Sequence, residues 1–201
     1  MIDNKVEAIK ANVEEIMKIL GIEKTESNEN TPLRIAKMWV NELFRNRNDL
    51  HIGELDATMK VFDNVDNLTD MVIMEDIEYH SMCEHHWLPF MGTMRVGYVP
   101  NKGIIGLSKI PRVVKFFSQK PQLQERLVKE ITEYLYDVIR PKYIIVEAVA
   151  THACVMCRGA ESNSKTNTMY SKAHVHITEE QIKEYKSEFF SRRGDNANIE
   201  C

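Results

Sequence analysis

Between Val6 and Leu20 the apolar residues Val6, Ile9, Val13, Ile16 and Leu20 recur at steps of three and four, which predicts one amphipathic helix. The polar stretch EKTESNEN interrupts the pattern. TPLRIAKMWVNELF then predicts a second helix, with Thr31 as N-cap, Pro32 at the first helical position and an apolar stripe of Ile35, Trp39, Val40, Leu43 and Phe44. Residues 45–70 are polar and weakly patterned and read as a loop with one short strand at TMKVF. After that the period shifts towards two. MVIMEDIEY and FMGTMRVGYV read as strands, the second followed by the turn PNKG.

Ser108 is placed to cap a helix over KIPRVVKFFSQ. The run PQLQERLVKEITEYLYDVI predicts a long amphipathic helix with Leu123, Leu127, Ile131, Leu135 and Val138 on one side. YIIVEAVATHACVM is rich in β-branched residues and reads as a strand throughout, with TNTMYSKAHVHI as its successor. TEEQIKEYKSEFF predicts a closing helix, and the tail from Arg192 is expected to fray. No internal repeat or low-complexity segment is present. Helices first, then strands, a helical pair and strands again give an α+β protein, not a parallel sheet with alternating crossovers. The expected division is an N-terminal helical segment over 1–50, a main domain over 51–191 and a flexible tail over 192–201.

Composition narrows the function. At 43% hydrophobic residues the chain is globular, and a net charge of −4 offers no general attraction for nucleic acid. No apolar run approaches the roughly 20 residues that span a bilayer, and MIDNKVEAIK lacks the apolar core of a secretory signal. Cysteines 83, 154, 157 and 201 therefore read as thiols or metal ligands in a cytoplasmic protein.

The segment SMCEHHWLPF concentrates the chemistry. Cys83 and His86 form C-x-x-H, a spacing that lets a turn present both to one ion. In THACVMC, strand alternation would put His152 and Cys154 on one face. Cys83, His86 and Cys154 would then give zinc three ligands and leave a position for water, with His85, aimed elsewhere by the backbone, and His152 free for proton transfer. The same residues permit another reading. Cys157 completes C-x-x-H with C-x-x-C, a closed set typical of structural zinc in a non-catalytic, zinc-stapled oligomeric binding protein. Spacing alone leaves both open. A nucleobase deaminase is not indicated, because H-x-E and P-C-x-x-C are absent.

Arg34 and Lys37 lie in the first turns of one predicted helix, Lys109 and Arg112 in those of another, and Arg158 just beyond the cysteine segment. Cations at a helix start oppose its dipole and are better explained if an anion such as a polyphosphate sits there too. Solvated helix faces are the plainer reading of each one singly. Gln124 and Glu125, at the edge of the long helix's stripe, could read a guanine edge; a surface Glu125–Lys129 pair is the plainer reading. His51, His80, His174 and His176 are read as surface histidines.

TPLRIAKMWVNELF, SMCEHHWLPF, GLSKIPR, QERL, THACVMCRG and NSKT, in this order over about 31–168, resemble the GTP cyclohydrolase I family. The resemblance implies the tunnelling fold, a ring-shaped homodecamer with sites at subunit interfaces, and conversion of GTP and water to 7,8-dihydroneopterin triphosphate and formate. It implies Cys83, His86 and Cys154 as zinc ligands, His85 and His152 as acid–base groups, Ser108 as an active-site serine and Gln124 with Glu125 as the guanine pair. Lys109, Arg112 and Arg158 match triphosphate contacts, as do Arg34 and Lys37, which the family supplies from a neighbouring subunit. Cys157 departs from the pattern, standing where the family usually has an apolar residue. The pathway fed by the product (folate, a biopterin or a deazaguanine) is not legible from these motifs.

Overall fold

A computed structural model describes residues 2–49 and 51–192. The tail expected from 192 onward lies outside these residues apart from Arg192, which is held in place: it donates to the Met71 carbonyl at 3.2 Å and pairs with Glu188 at 2.6 Å.

Among the described residues, seven α-helices and seven strands follow in the order α1 (Ile2–Ile19), α2 (Thr31–Met38), α3 (Ile52–Asp56), β1 (Val61–Asp63), β2 (Val72–Cys83), β3 (Pro89–Val99), β4 (Gly103–Ile105), α4 (Lys109–Ser118), β5 (Pro121–Gln122), α5 (Gln124–Ile139), β6 (Tyr143–His152), α6 (Ala153–Met156), β7 (Lys165–Ala173) and α7 (Glu179–Ser191). The α+β expectation holds. No helix among the described residues is long and apolar enough to cross a membrane.

Several boundaries differ from those read in the sequence. Asn30, not Thr31, occupies the N-cap of α2, and that helix passes into a π-helical turn over Trp39–Leu43. Ser108 stands at the N-cap of α4 but in helical backbone geometry, and its side chain caps nothing. The long helix begins at Gln124 because residues 121–122 are drawn into the sheet as β5. The strand from Tyr143 stops at His152, and the next four residues form a single helical turn. At α7 the sequence signal is realised in full: Thr178 and Gln181 form a reciprocal capping box.

The main sheet has the order β5-β2-β3-β6-β7. Its neighbours are antiparallel except for the short parallel pairing of β5 with β2, where Cys83 lies opposite Gln122. β1 and β4 form a separate antiparallel ribbon.

Alternation along β6 explains the layering. Ile144, Val146, Ala148 and Ala150 face the main core, which includes Val113, Val114 and Phe117 of α4 and Leu127, Ile131 and Leu135 of α5. Tyr143 and Ile145 face a second cluster with Phe189 of α7. This second packing is close: a Cβ on Gly97 would come within 2.7 Å of Phe189, so glycine is what lets α7 approach β3. Arg95 adds a tie across the same face, donating to Glu75 and to the Phe189 carbonyl.

The helical N-terminal segment is fastened to the sheet by aromatic rings. Trp39 meets Trp87 edge-on at 5.4 Å between centroids, and Phe44 lies 5.3 Å from Trp87. Trp87 belongs to the turn between β2 and β3, where it takes a left-handed backbone conformation with φ 52°. A neighbouring anchor is buried Asn46, whose side-chain amide donates to the Phe116 carbonyl at 3.1 Å.

Candidate active site and metal centre

The helix-covered face of the sheet has an end at which β2 stops, β3 starts and β6 stops. Cys83 is the last residue of β2, Phe90 the second of β3 and His152 the last of β6. Phe90 and His152 are register partners, and α5 begins close by. Five-strand order and strand ends, not sequence proximity, bring these groups together.

The turn carrying the histidines is held on several sides. The Cys83 N–H donates to the Leu88 carbonyl at 2.9 Å, the Trp87 N–H to the Cys83 carbonyl at 2.8 Å and the Glu84 N–H to the Gln122 carbonyl at 3.1 Å. Arg126 of α5 pairs with Glu84 and donates to the Gln122 side chain at 2.9 Å and to the Pro121 carbonyl at 3.2 Å. That pair holds the Glu84 carboxyl below the usual carboxylate range. Sequence reading assigned nothing to Glu84 or Arg126; both lie inside recognised motifs, but their pairing over 42 positions has no local signature.

Cys83, His86 and Cys154 bring their ligand atoms within 4.8 Å of one another, and they are the three described residues that together could hold a metal ion. The Cys83 Sγ to His86 Nδ1 distance is 3.9 Å. Tetrahedral ligands at zinc bond lengths stand about 3.5 Å apart, so the donor set fits zinc with a small contraction. Cys154 reaches the cluster from the first turn after β6, not from the strand. The expected strand alternation of His152 and Cys154 is therefore not how they meet. Burial raises the Cys154 thiol, and the neighbouring Cys83 raises it further, while Arg158 opposes the shift. Two crowded thiols of this kind favour a cation between them.

Cys157 is exposed, and its thiol donates to the Ala153 carbonyl one turn back. His85 Nδ1 lies 3.8 Å from Cys83 Sγ, as close as that of His86, yet His85 is not among the three residues whose ligand atoms all lie within 4.8 Å of one another. Sharing a tight turn keeps both imidazoles near the sulfur.

His152 stacks on Phe90 with 4.7 Å between centroids and 2° between planes. Its Nε2 lies 2.7 Å from Gln124 Oε1. Burial lowers the imidazole's pKa, and the Glu125 carboxylate partly opposes that shift. Gln124 is not at the edge of a stripe but 2% exposed. Glu125 is exposed, and Lys129 pairs with Glu133 at 3.9 Å, so the plain Glu125–Lys129 pair is not formed.

The cations are spread more widely. Arg34 and Lys37 are exposed on α2, Arg112 is exposed on α4, and Lys109 opens α4 beside exposed Ser108. Arg112 also lines a shallow cavity of about 230 Å³ with Arg45, His51 and Glu54. None of these residues bonds to the cysteine–histidine cluster within one chain. Arg34, Lys37, Lys109, Arg112 and Arg158 have no carboxylate partner among the described residues. His51 is taken up locally by Glu54 at 2.8 Å, and the His174 and His176 rings lie 5.1 Å apart just past β7.

A mixed sheet backed by a helical pair, with two thiols and an imidazole converging at one end beside a held histidine, defines an α+β protein with a candidate metal-assisted active site. The chain belongs to the GTP cyclohydrolase I family, whose sequence pattern matches residues 9–192, and it is an enzyme of that kind. It is 43% identical to GTP cyclohydrolase 1 of Sulfurihydrogenibium sp. (strain YO3AOP1) over 147 residues, 73% of each chain. It is 39% identical to GTP cyclohydrolase 1 of Pasteurella multocida (strain Pm70) over 171 residues, 83% of this chain and 75% of that one. Among solved structures, the archaeosine synthase QueF-Like in the apo form aligns with a TM-score of 0.43 at 15% identity, over 52% of this chain and 95% of that chain.

Proposed function

We propose that the chain is a zinc-dependent GTP cyclohydrolase I converting GTP and water to 7,8-dihydroneopterin triphosphate and formate. The observation that carries this reading is the convergence of Cys83, His86 and Cys154 within 4.8 Å in a member of this family. When bound, zinc supplies a Lewis acid that makes water nucleophilic near neutral pH. Cys83, His86 and Cys154 would hold it, leaving a fourth position open.

The remaining residues divide the work. His152 and His85 move protons on and off the purine ring as its bonds to C8 break. Glu125 accepts hydrogen bonds from the donor edge of guanine, which rejects adenine because that pairing would leave buried polar groups unmatched. Lys109, Arg112 and Arg158 bind the triphosphate, supported by their lack of carboxylate partners. Ser108 joins them, its hydroxyl left unused by the helix it precedes.

Arg34 and Lys37 complete the phosphate site from a neighbouring subunit of a ring-shaped homodecamer with the tunnelling fold. Their failure to meet the cluster within one chain suits that arrangement. The free thiols of Cys83, Cys154 and Cys157 suit a cytoplasmic enzyme. The closed, non-catalytic site has less support, since Cys157 directs its thiol at Ala153.

Incubating zinc-loaded protein with GTP and, separately, ATP tests the reading. A fluorescent pterin with equimolar formate from GTP alone is the expected result. No formate above background from GTP would overturn it.

A further inference from the structure

The side chain proposed for guanine recognition beside Glu125 is committed elsewhere. Gln124 Nε2 donates to the Ala148 carbonyl of β6 at 3.0 Å and to the Thr166 carbonyl of β7 at 3.0 Å. An amide nitrogen carries two protons, and both are used. Two carbonyl oxygens on that side admit only the NH2 group, so the orientation of the amide follows from its surroundings. Its oxygen must face His152, whose Nε2 lies 2.7 Å away.

A carbonyl oxygen cannot donate. The bond to Gln124 therefore requires a proton on His152 Nε2. In the neutral imidazole the lone pair is then on Nδ1. Turning the ring over would keep its stack on Phe90 but would put carbon Cε1 where Nε2 meets the Gln124 oxygen, so the hydrogen bond is what fixes which nitrogen faces Gln124. No described residue bonds to Nδ1.

We propose that Gln124 is a positioning residue: it holds His152 as the Nε2-protonated tautomer and leaves Nδ1 as the nitrogen that exchanges a proton with the substrate. This rests on the reading of His152 as an acid–base group. It changes the role of Gln124 from reading guanine with its side chain to setting which nitrogen works. The amide also joins α5 to β6 and β7 at the strand ends. Its loss thus disturbs the histidine before it disturbs anything the nucleotide touches. Guanine selection then falls to Glu125, whose exposed carboxylate has no such commitments.

The test is the tautomer of His152 in zinc-loaded protein without nucleotide, a readout independent of turnover. Solid-state NMR on histidine-15N-labelled protein, with His152→Asn identifying the signals, should give a protonated Nε2 and an unprotonated Nδ1. Gln124→Met, which cannot donate and accepts only weakly, should abolish the single tautomer. Kinetics supply the second arm. Gln124→Met and Gln124→Glu should differ, because only the carboxyl group can still accept strongly from Nε2. The methionine variant should lower kcat for GTP about tenfold to a hundredfold, the range of a misplaced acid–base group, with KM and the GTP-to-ITP preference unchanged. The glutamate variant, whose carboxyl must carry a proton to face the Ala148 or Thr166 carbonyl, can still accept from Nε2 with its other oxygen and should retain the tautomer and more of the turnover. A wild-type His152 protonated on Nδ1 overturns the proposal even if the methionine variant fails to fold. So does a Gln124→Met variant that keeps kcat and the tautomer but loses GTP affinity and the preference over ITP. If GTP is not turned over at all, the tautomer still decides the positioning claim separately from the activity.

Discussion

His152 lies flat on Phe90, and the two residues are also paired across β3 and β6. The sheet register thus aims a polar ring that side-chain bonds alone would leave free to pivot. Phe90→Leu keeps an apolar side chain of similar bulk but removes the flat support. It should lower kcat about tenfold or more while zinc content and the KM for GTP hold, because a small misplacement of a proton-transfer group is costly. Steady-state kinetics beside metal analysis check this; an unchanged kcat would show that the stack does not orient the ring.

The two cysteines of C-x-x-C are predicted to behave differently. Cys154→Ser should lose both zinc and turnover, whereas Cys157→Ala should keep both, since the Cys157 thiol bonds to a backbone carbonyl. Metal content by mass spectrometry and initial rates separate them. Retained stoichiometric zinc in Cys154→Ser would contradict the assignment.

His85 is as near the sulfur of Cys83 as His86 is, so its role needs its own variant. His85→Ala should keep its zinc and lose on the order of 10²-fold in turnover, as for a lost acid–base group. Loss of zinc in this variant would instead make His85 a ligand.

Removing a cation should act through the phosphates. Arg158→Ala or Lys109→Ala should raise the KM for GTP about tenfold to a hundredfold, with zinc content unchanged and little effect on any turnover of guanosine. Loss of a charge-assisted hydrogen bond of about 1.5–3 kcal/mol gives that scale. Equal effects on GTP and guanosine would remove direct phosphate contact from the account.

Arg34 makes no contact with the cysteine cluster within one chain, which the account assigns to a site shared between subunits. Mixed oligomers of Arg34→Ala with His85→Ala subunits should regain part of the activity that each variant lacks alone. No recovery in verified mixtures would place Arg34 outside the site.

Much of this architecture is legible as periodicity. The stripe of α5 follows from its one buried face, and β6 is legible as a run rich in β-branched residues that is buried almost throughout. What escaped has physical reasons. β4 and β5 are three and two residues long, too short to show a period. The strand end at His152 is silent because Ala153–Met156 carries no glycine or proline to mark a break. The cysteines could still be grouped by spacing, although the alternation invoked for Cys154 was the wrong local geometry. Gln124 was the least legible: its donors meet backbone carbonyls 24 and 42 positions away, and backbone carbonyls leave no trace in sequence.

X-ray absorption at the zinc edge of the loaded protein tests the three-ligand site most directly. Sulfur scatters at about 2.3 Å and nitrogen or oxygen at about 2.0–2.2 Å from zinc, so the shells are separable. The account predicts two sulfurs from Cys83 and Cys154, one nitrogen from His86 and one exchangeable oxygen, with the sulfur count unchanged in Cys157→Ala. Three sulfurs in the wild type, falling to two in Cys157→Ala, would contradict it: the site would then be closed and the position for water already filled.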